Sequence, residues 1–199
     1  MSPFYRLTDD PSIRHWFIGD PRTSSGRPLD PRPFSEPTPL RRKAVHLRIL
    51  QAGPPAPFTF GPLDMPIVSR ALGDNLLALC GPRAVRLIDA PIAGVNSNWC
   101  VLQVLAAPDC IDLKASRPKR WRKADGIPEK VGQIASLEDL VLKPAATEGA
   151  LLFRPAGWPV ELIATGEAAK LLAAVRRLGV RLEPVRTSEA KRASRPSPG

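Results

Sequence analysis

The chain has 199 residues, carries a formal net charge of +10 at pH 7 and contains 24 prolines. Its length suits one hydrophobic core of ordinary size, and its proline content, well above average usage, predicts long loops and extended segments. No apolar run approaches the length of a transmembrane helix and the start of the chain lacks a secretory signal pattern, so we expect a cytoplasmic protein that does not contact a membrane.

The first half of the chain predicts an extended segment, then a strand, then a helix. Residues 20–43 contain six prolines, which remove backbone donors and push the preceding residues out of the helical region, so this segment is expected to be extended and on the surface. Residues 45–49 alternate apolar and polar side chains, as in a strand with one buried face, and His46 falls on its outer face. A helix is predicted from Pro66 to Cys80, with the proline in its first turn and a Gly-Pro pair after its end.

The second half predicts two more strands, a helix and a final strand. A strand at Val85 and Leu87 precedes a more deeply buried one at residues 99–105. Further on, a β-like run leads to Thr165, which is the predicted N-cap of a helix with apolar residues at helical spacing. Gly179 is predicted to end this helix, and a short strand follows it.

These elements predict the α+β class, because strands and helices do not alternate strictly along the chain. We expect a single domain over residues 1–186, with a mixed or antiparallel sheet, about two main helices and long proline-rich loops. Residues 187–199 are rich in Ser, Pro and Arg and have almost nothing to bury, so they predict a disordered basic tail.

The sequence contains few signs of catalysis. The two histidines, His15 and His46, are not spaced against Cys, Asp or Glu as metal ligands are, and the three cysteines form no CxxC pair and are expected to be reduced. Motifs typical of serine hydrolases, dinucleotide enzymes and nucleoside triphosphatases are absent. Neighbouring acidic residues such as Asp109 and Asp112 are better interpreted as solvated turn and capping groups than as a catalytic pair. We therefore predict no enzyme, no catalytic residue, no metal and no cofactor.

The most unusual stretch is residues 114–133, which read KASRPKRWRKADGIPEKVGQ. It places seven basic residues around Trp121, followed by a predicted turn at residues 125–128. Arg and Trp are the side chains most enriched at protein-interface hot spots, although basic residues with an aromatic also suit nucleic acid. A third interpretation, held open, is a solvated basic loop whose tryptophan is buried in the domain.

Several stretches together resemble the bacterial immunity-protein family eleven of polymorphic toxin systems, an immunity domain of the myxobacterial type. The resemblance covers residues 4 to 185, and its strongest part is the run from Trp121 to Gln133. The other matching stretches are FYRLTDD at 4–10, PLDMPIVS at 62–69, DCID at 109–112, LFRP at 152–155 and GVRLEPV at 179–185.

This resemblance implies that the protein neutralises a cognate toxin by direct binding, with no catalytic residues. The side chains to which we assign partner binding are Arg120, Trp121, Arg122, Lys123, Asp125, Lys130 and Arg154. The alternative is a nucleic-acid-binding or regulatory module that uses the basic segment, residues 114–130. We expect no specific nucleic acid, because a short basic loop lacks a groove-reading helix or a stacking platform. An enzyme with a dispersed site is the third possibility.

Overall fold

The structure, a computed structural model, describes residues 3–188 and contains thirteen strands and three α-helices within that range. The strands are, in chain order, β1 (Phe4–Asp9), β2 (Phe17–Ile18), β3 (Ile49–Gln51), β4 (Phe58–Gly61), β5 (Met65–Ser69), β6 (Val85–Asp89), β7 (Trp99–Val104), β8 (Pro118–Arg120), β9 (Ile134–Leu137), β10 (Val141–Leu142), β11 (Leu152–Phe153), β12 (Ile163–Thr165) and β13 (Val180–Thr187). The helices are α1 (Arg70–Cys80), α2 (Leu113–Ser116) and α3 (Gly166–Ala173). None of these helices is long and apolar enough to cross a membrane.

Two larger sheets organise the strands. The first has five strands in the order β10-β13-β1-β12-β11, and only its β10–β13 pair is parallel. The second has four antiparallel strands in the order β4-β5-β7-β6. Two small antiparallel pairs, β2-β3 and β8-β9, complete the pairing among the described strands. The predicted α+β class, with mixed and antiparallel sheets in one domain, is confirmed.

The two longer helices join the large sheets into one core. Helix α1 contacts β5, β6 and β7 of the second sheet, α3 contacts β1 and β12 of the first, and the helices touch each other. Their buried leucines, among them Leu76 and Leu172, pack with one face of each sheet. The opposite sheet faces pack against loops: Val101 of the second sheet belongs to one buried cluster with Phe34, and Ile163 of the first sheet belongs to another with Ile111. Both sheets are therefore covered on two sides, which explains why few of their strands show simple alternation.

Strand β7 shows this double burial most fully, since all six of its residues are buried. Trp99 and Val101 face the loops while Cys100 and Leu102 face the helices. The deeply buried strand predicted for this region is confirmed, as is the strand at Val85.

The proline-rich residues 20–43, here called the strap, run over the outer face of the second sheet. The strap is mostly exposed, as predicted, but it holds one short 3₁₀ turn at Arg32–Phe34, and Phe34 is buried against the sheet. The buried amide of Gln103 on β7 anchors it: Nε2 donates to three strap carbonyls, the shortest contact being 2.8 Å to Thr38, and Oε1 accepts from the Leu40 amide at 3.2 Å. One polar side chain thus satisfies backbone groups that the strap cannot pair with itself.

The predicted start of the first helix is wrong. Residues 66–69 belong to β5 and the helix begins at Arg70. Pro66 of β5 lies opposite Phe60 of β4, whereas the pairing of β5 with β7 begins at Ile67. Because Ile67 faces one core and Val68 the other, tertiary burial on two faces overrides the helix-like spacing.

The second helix is shorter than predicted, and the last strand is longer. Helix α3 ends at Ala173. Thr165 is its N-cap residue, as predicted, but the Thr165 hydroxyl donates to the Pro3 carbonyl and not to a backbone group of the helix. Gly179 is needed for another reason: its φ is +97°, and a Cβ there would lie 2.2 Å from the carbonyl oxygen of Phe58.

Strand β13 pairs with β1 over six residues and ends at Thr187, which lies in the segment predicted to be a disordered tail. The Ser188 amide donates to the Leu142 carbonyl at 2.9 Å, so the ordered chain passes the predicted boundary after residue 186. The rest of the predicted tail, residues 189–199, lies outside the described residues.

Candidate functional site

The basic segment forms a short hairpin that stands on the surface. After α2 the chain turns at Arg117, whose φ is +46°, and then enters β8, which pairs with β9. Two 3₁₀ turns, at 123–125 and 128–130, fill the loop between these strands. The predicted turn is present: Gly126 adopts a left-handed φ of +74°, and the Asp125 carboxylate accepts from the Arg122 amide at 2.7 Å.

Trp121 is fixed at the base of this loop by its backbone. Its amide donates to the Gln133 carbonyl at 3.0 Å, and its carbonyl accepts from the Gly132 amide at 2.9 Å. Its side chain is half-buried, an outcome between the exposed and core positions that the sequence left open. The Lys130 Nζ lies 5.2 Å from the ring centroid, within the range of a cation–π contact.

Most residues assigned to partner binding lie on this hairpin and are exposed. Arg120, Arg122, Lys123, Asp125 and Lys130 are all on the surface. The Arg120 guanidinium donates to the Gly132 carbonyl at 2.7 Å, which stiffens the loop, whereas Lys123 forms no ion pair within residues 3–188.

Arg154 is the exception and corrects the assignment. It is 1% exposed, and its guanidinium donates to the backbone carbonyls of Asp64 and Pro159 while Nε has no partner among the described residues. Burial lowers the pKa of Arg154 to about 10. A side chain enclosed in this way cannot contact a partner in this structure. The motif showed a basic residue between apolar ones but not its burial, which depends on segments distant in the chain.

A cleft of about 430 Å³ lies beside the hairpin, and four separate segments form it. These segments are the strap at 32–36, the β4–β5 turn at 63–64, the hairpin base from Trp121 to 135, and the loop 157–160. Trp158 and Val160 on that last loop were not singled out by the sequence, although a tryptophan between glycine and proline was a possible signal. The half-buried Trp158 also packs against the core of the first sheet, which holds this wall in place.

Leu63 sits at the tip of the β4–β5 turn in an unusual backbone conformation. Its φ and ψ are +52° and +46°, and the next residue, Asp64, also has a positive φ of +56°. The left-handed region costs a residue with a Cβ roughly 1–2 kcal/mol, and branched aliphatic residues are rare there. The leucine side chain is nevertheless 57% exposed, so burial in the folded chain does not offset this cost.

Charged groups near Asp64, which lines the cleft, influence one another. Partial removal of water raises the pKa of Asp64, and the nearby Arg154 opposes that rise. Burial likewise raises the pKa of Glu161, which pairs with Arg6 at 3.8 Å. The strap forms the remaining wall, where the Ser35 hydroxyl donates to the Leu63 carbonyl at 2.9 Å. Gln103, which no sequence pattern marked, therefore also positions this wall through the strap.

The groups considered for catalysis are dispersed. One ring nitrogen of His15 lies 2.8 Å from the Trp16 carbonyl oxygen, and His46 is exposed, as predicted. The Asp112 carboxylate caps α2 by accepting from the Ala115 amide at 3.1 Å, in keeping with its interpretation as a capping residue. Within residues 3–188, no three His, Cys, Asp or Glu side chains are grouped closely enough to hold a metal ion.

The cysteine thiols are all free. Burial raises the pKa of Cys100 to about 12 and the pKa values of Cys80 and Cys110 to about 11. Since the thiolate is the reactive form, these are poorly reactive thiols, consistent with small apolar side chains in a core.

Comparison with known proteins adds no relative: no family model matches the chain, and no curated protein matches it. The resemblance to immunity proteins therefore stays a prediction.

Proposed function

We propose that the protein is an immunity protein that binds a cognate bacterial toxin directly and neutralises it. The observation that carries this proposal is the cleft between Leu63 and Trp121, an exposed site with apolar walls beside a basic hairpin. Leu63, whose apolar side chain is exposed there, has an unfavourable backbone conformation. Residues in such conformations cluster at functional sites.

The site has the physical properties that a protein inhibitor needs. Trp121 is fixed by two backbone hydrogen bonds, so little conformational entropy is lost when a partner covers it. Exposed basic residues on the hairpin, such as Lys119 and Lys123, speed the approach of an acidic partner by long-range attraction. Tryptophan and arginine are the side chains most enriched among the residues that carry most of the energy of protein interfaces.

Co-expression tests the proposal. The protein to test as partner is the carboxy-terminal toxin domain encoded by the adjacent reading frame. We expect the protein to restore growth and to elute with that domain in gel filtration. Trp121→Ala should weaken the complex by about 2 kcal/mol, a typical value for a buried interface anchor, and Phe17→Ala, which removes another exposed aromatic far along the chain, should not. Persistent toxicity at equal expression, without a complex, rejects the proposal for this pair.

A nucleic-acid-binding module is the second candidate, favoured by the cluster of exposed basic side chains next to a half-open tryptophan. Contact with about six phosphates would cost roughly a thousandfold in duplex affinity between 50 and 200 mM salt. We expect only weak, non-specific binding that disappears near physiological salt. Titration of labelled DNA and RNA at several salt concentrations distinguishes the two, because sub-micromolar, sequence-selective binding at 150 mM salt would favour the nucleic-acid function.

A further inference from the structure

We infer that the cleft receives one large apolar side chain from an acidic segment of the partner, with Leu63, Trp121, Trp158 and Val160 as its contacts. This inference rests on the proposed function for the identity of the partner, but its first test does not. It assigns a binding role to three residues, Leu63, Trp158 and Val160, that lie outside the basic segment.

The apolar character of the cleft comes from side chains that the fold leaves open. Only a few large hydrophobic residues of the described chain are exposed. Two of them, Leu63 at 57% and Val160 at 49%, line this one cleft on separate segments of the chain. The rings of Trp121 and Trp158, each half-buried, complete its walls. Exposed apolar groups gathered in one concave site and rimmed by polar residues indicate a binding site.

The size of the cleft suits one side chain and not a whole helix. A volume of about 430 Å³ accommodates a tryptophan or leucine with its neighbouring backbone. Interface anchors of this kind are large and apolar or aromatic, and they fill pockets that other contacts keep free of water.

Charge complementarity selects an acidic neighbourhood for that side chain. Of the two acidic residues at the cleft, Asp64 lies near the buried Arg154. The basic residue near Glu36 is Arg32, which pairs with Asp30 at 2.8 Å. The Lys130 ammonium, by contrast, contacts the Trp121 ring and forms no ion pair within residues 3–188.

The wider surroundings have the same sign. Residues 114–130 hold seven basic and two acidic side chains, and Lys119 and Lys123 on the hairpin are exposed without an ion pair in the described chain. A partner segment with Asp or Glu beside its apolar anchor would therefore meet positive charge without an ion pair at Lys130 in the cleft and along the adjoining hairpin.

Nuclear magnetic resonance with defined peptides tests the inference, because the protein supplies its own controls. The chain has four tryptophans, each giving one indole signal, which Trp→Phe variants assign. Trp121 and Trp158 line the cleft, whereas Trp16 and Trp99 are buried elsewhere. The probe is the acetylated, amidated peptide Gly-Asp-Glu-Trp-Glu-Asp-Gly. Its two matched partners carry Lys in place of the acidic residues or Ala in place of Trp.

We expect the acidic tryptophan peptide to shift the Trp121 and Trp158 signals in a saturable manner and to leave those of Trp16 and Trp99 unchanged. Either matched peptide should bind at least about tenfold more weakly, as should the Leu63→Asn variant. Asparagine tolerates the left-handed conformation, so this variant keeps the turn while losing the apolar side chain. Leu50→Asn makes the same change at a leucine that is 53% exposed outside the cleft, and it should bind normally. Equal shifts with the lysine peptide, an unaffected Leu63→Asn variant, or no shift at millimolar peptide would each overturn the inference.

The toxin complex separates this inference from the proposed function. If the toxin domain binds and Leu63→Asn lowers its affinity about tenfold or more, both stand. If it binds with an affinity that Leu63→Asn leaves unchanged, the cleft assignment is wrong and the immunity function stands. If no toxin binds but the acidic peptide still does, the immunity function is wrong and the cleft assignment stands.

Discussion

Two pairs of tryptophans serve different ends in this molecule. Trp16 and Trp99 pack edge to face with centroids 4.8 Å apart, and they are only 2% and 6% exposed. Trp121 and Trp158 stand on separate loops on either side of a cleft and are each half-buried. The residue type is the same, but the first pair is buried between the second sheet and the loops that pack on it. Within residues 3–188, no segment covers the cleft of the second pair.

The closed pair contributes to the stability of the fold, whereas the open pair leaves apolar surface for binding. Burying aromatic rings against a sheet contributes several kcal/mol because the area removed from water is large. Rings left half-open contribute less to folding and keep that area for a partner. Substitutions in the two regions should therefore separate loss of stability from loss of binding.

The largest effect is expected for Trp99→Ala, which should lower the free energy of unfolding by about 3–5 kcal/mol, because it removes a large ring from a closed core. Trp158→Ala should cost less than half as much, since that ring is already half in water. Chemical denaturation followed by circular dichroism measures both. Equal losses would show that the cleft tryptophan belongs to the core.

A smaller but clear loss is expected for Arg154→Met. The substitution leaves the carbonyls of Asp64 and Pro159 without their donors, at a cost of about 2–3 kcal/mol. Arg117→Met removes an exposed arginine paired with Glu138 at 3.3 Å and should cost below about 1 kcal/mol. If Arg154→Met weakens partner binding without changing stability, the arginine is a contact residue after all.

Gln103→Leu should loosen the strap at a cost of about 1–2 kcal/mol, because strap carbonyls lose their buried donor. The Leu40 amide, which donates to Gln103, should then exchange its hydrogen faster, whereas amides of β7 should stay protected. Gln51→Leu, at an exposed glutamine, is the control. Unchanged exchange at Leu40 would mean that the prolines alone hold the strap.

The smallest effect concerns pH. The pKa values of Asp9, Asp64 and Glu161 are raised in the folded chain, mainly by loss of water around the carboxyl groups. The folded state thus binds protons at these carboxyl groups more tightly than the unfolded state does. These groups therefore increase the free energy of unfolding as pH falls from neutrality through their raised pKa values, and this increase is lost as pH rises through those pKa values.

Asp64→Asn should reduce the increase in the free energy of unfolding that acidification produces, and it should slightly stabilise the protein at neutral pH. Unfolding curves between pH 4 and 7 check both statements. A slope that is the same in wild type and Asp64→Asn would show that this carboxyl titrates normally.

Local pattern predicted much of the interior. The deeply buried β7, the strand at Val85 and the body of α1 follow from runs of apolar residues and the Gly-Pro pair after Cys80. Proline content likewise predicted the strap, since missing backbone donors and restricted φ act within a few residues. Pattern failed at residues 66–69, where an apolar run is shared between two cores.

The α+β class, the basic segment and its turn follow from the sequence, because they depend on composition and on contacts between near neighbours. The pairing of β8 with β9 that makes this segment a hairpin was not predicted. The enclosure of Arg154, and the position of Leu63 at one cleft with Trp121 and Trp158, depend on tertiary packing. Those residues are separated by tens of positions along the chain, and their meeting depends on how two sheets pack through the helices between them. No local spacing carries that information, which is why the basic segment could be found from the sequence while the apolar site beside it could not.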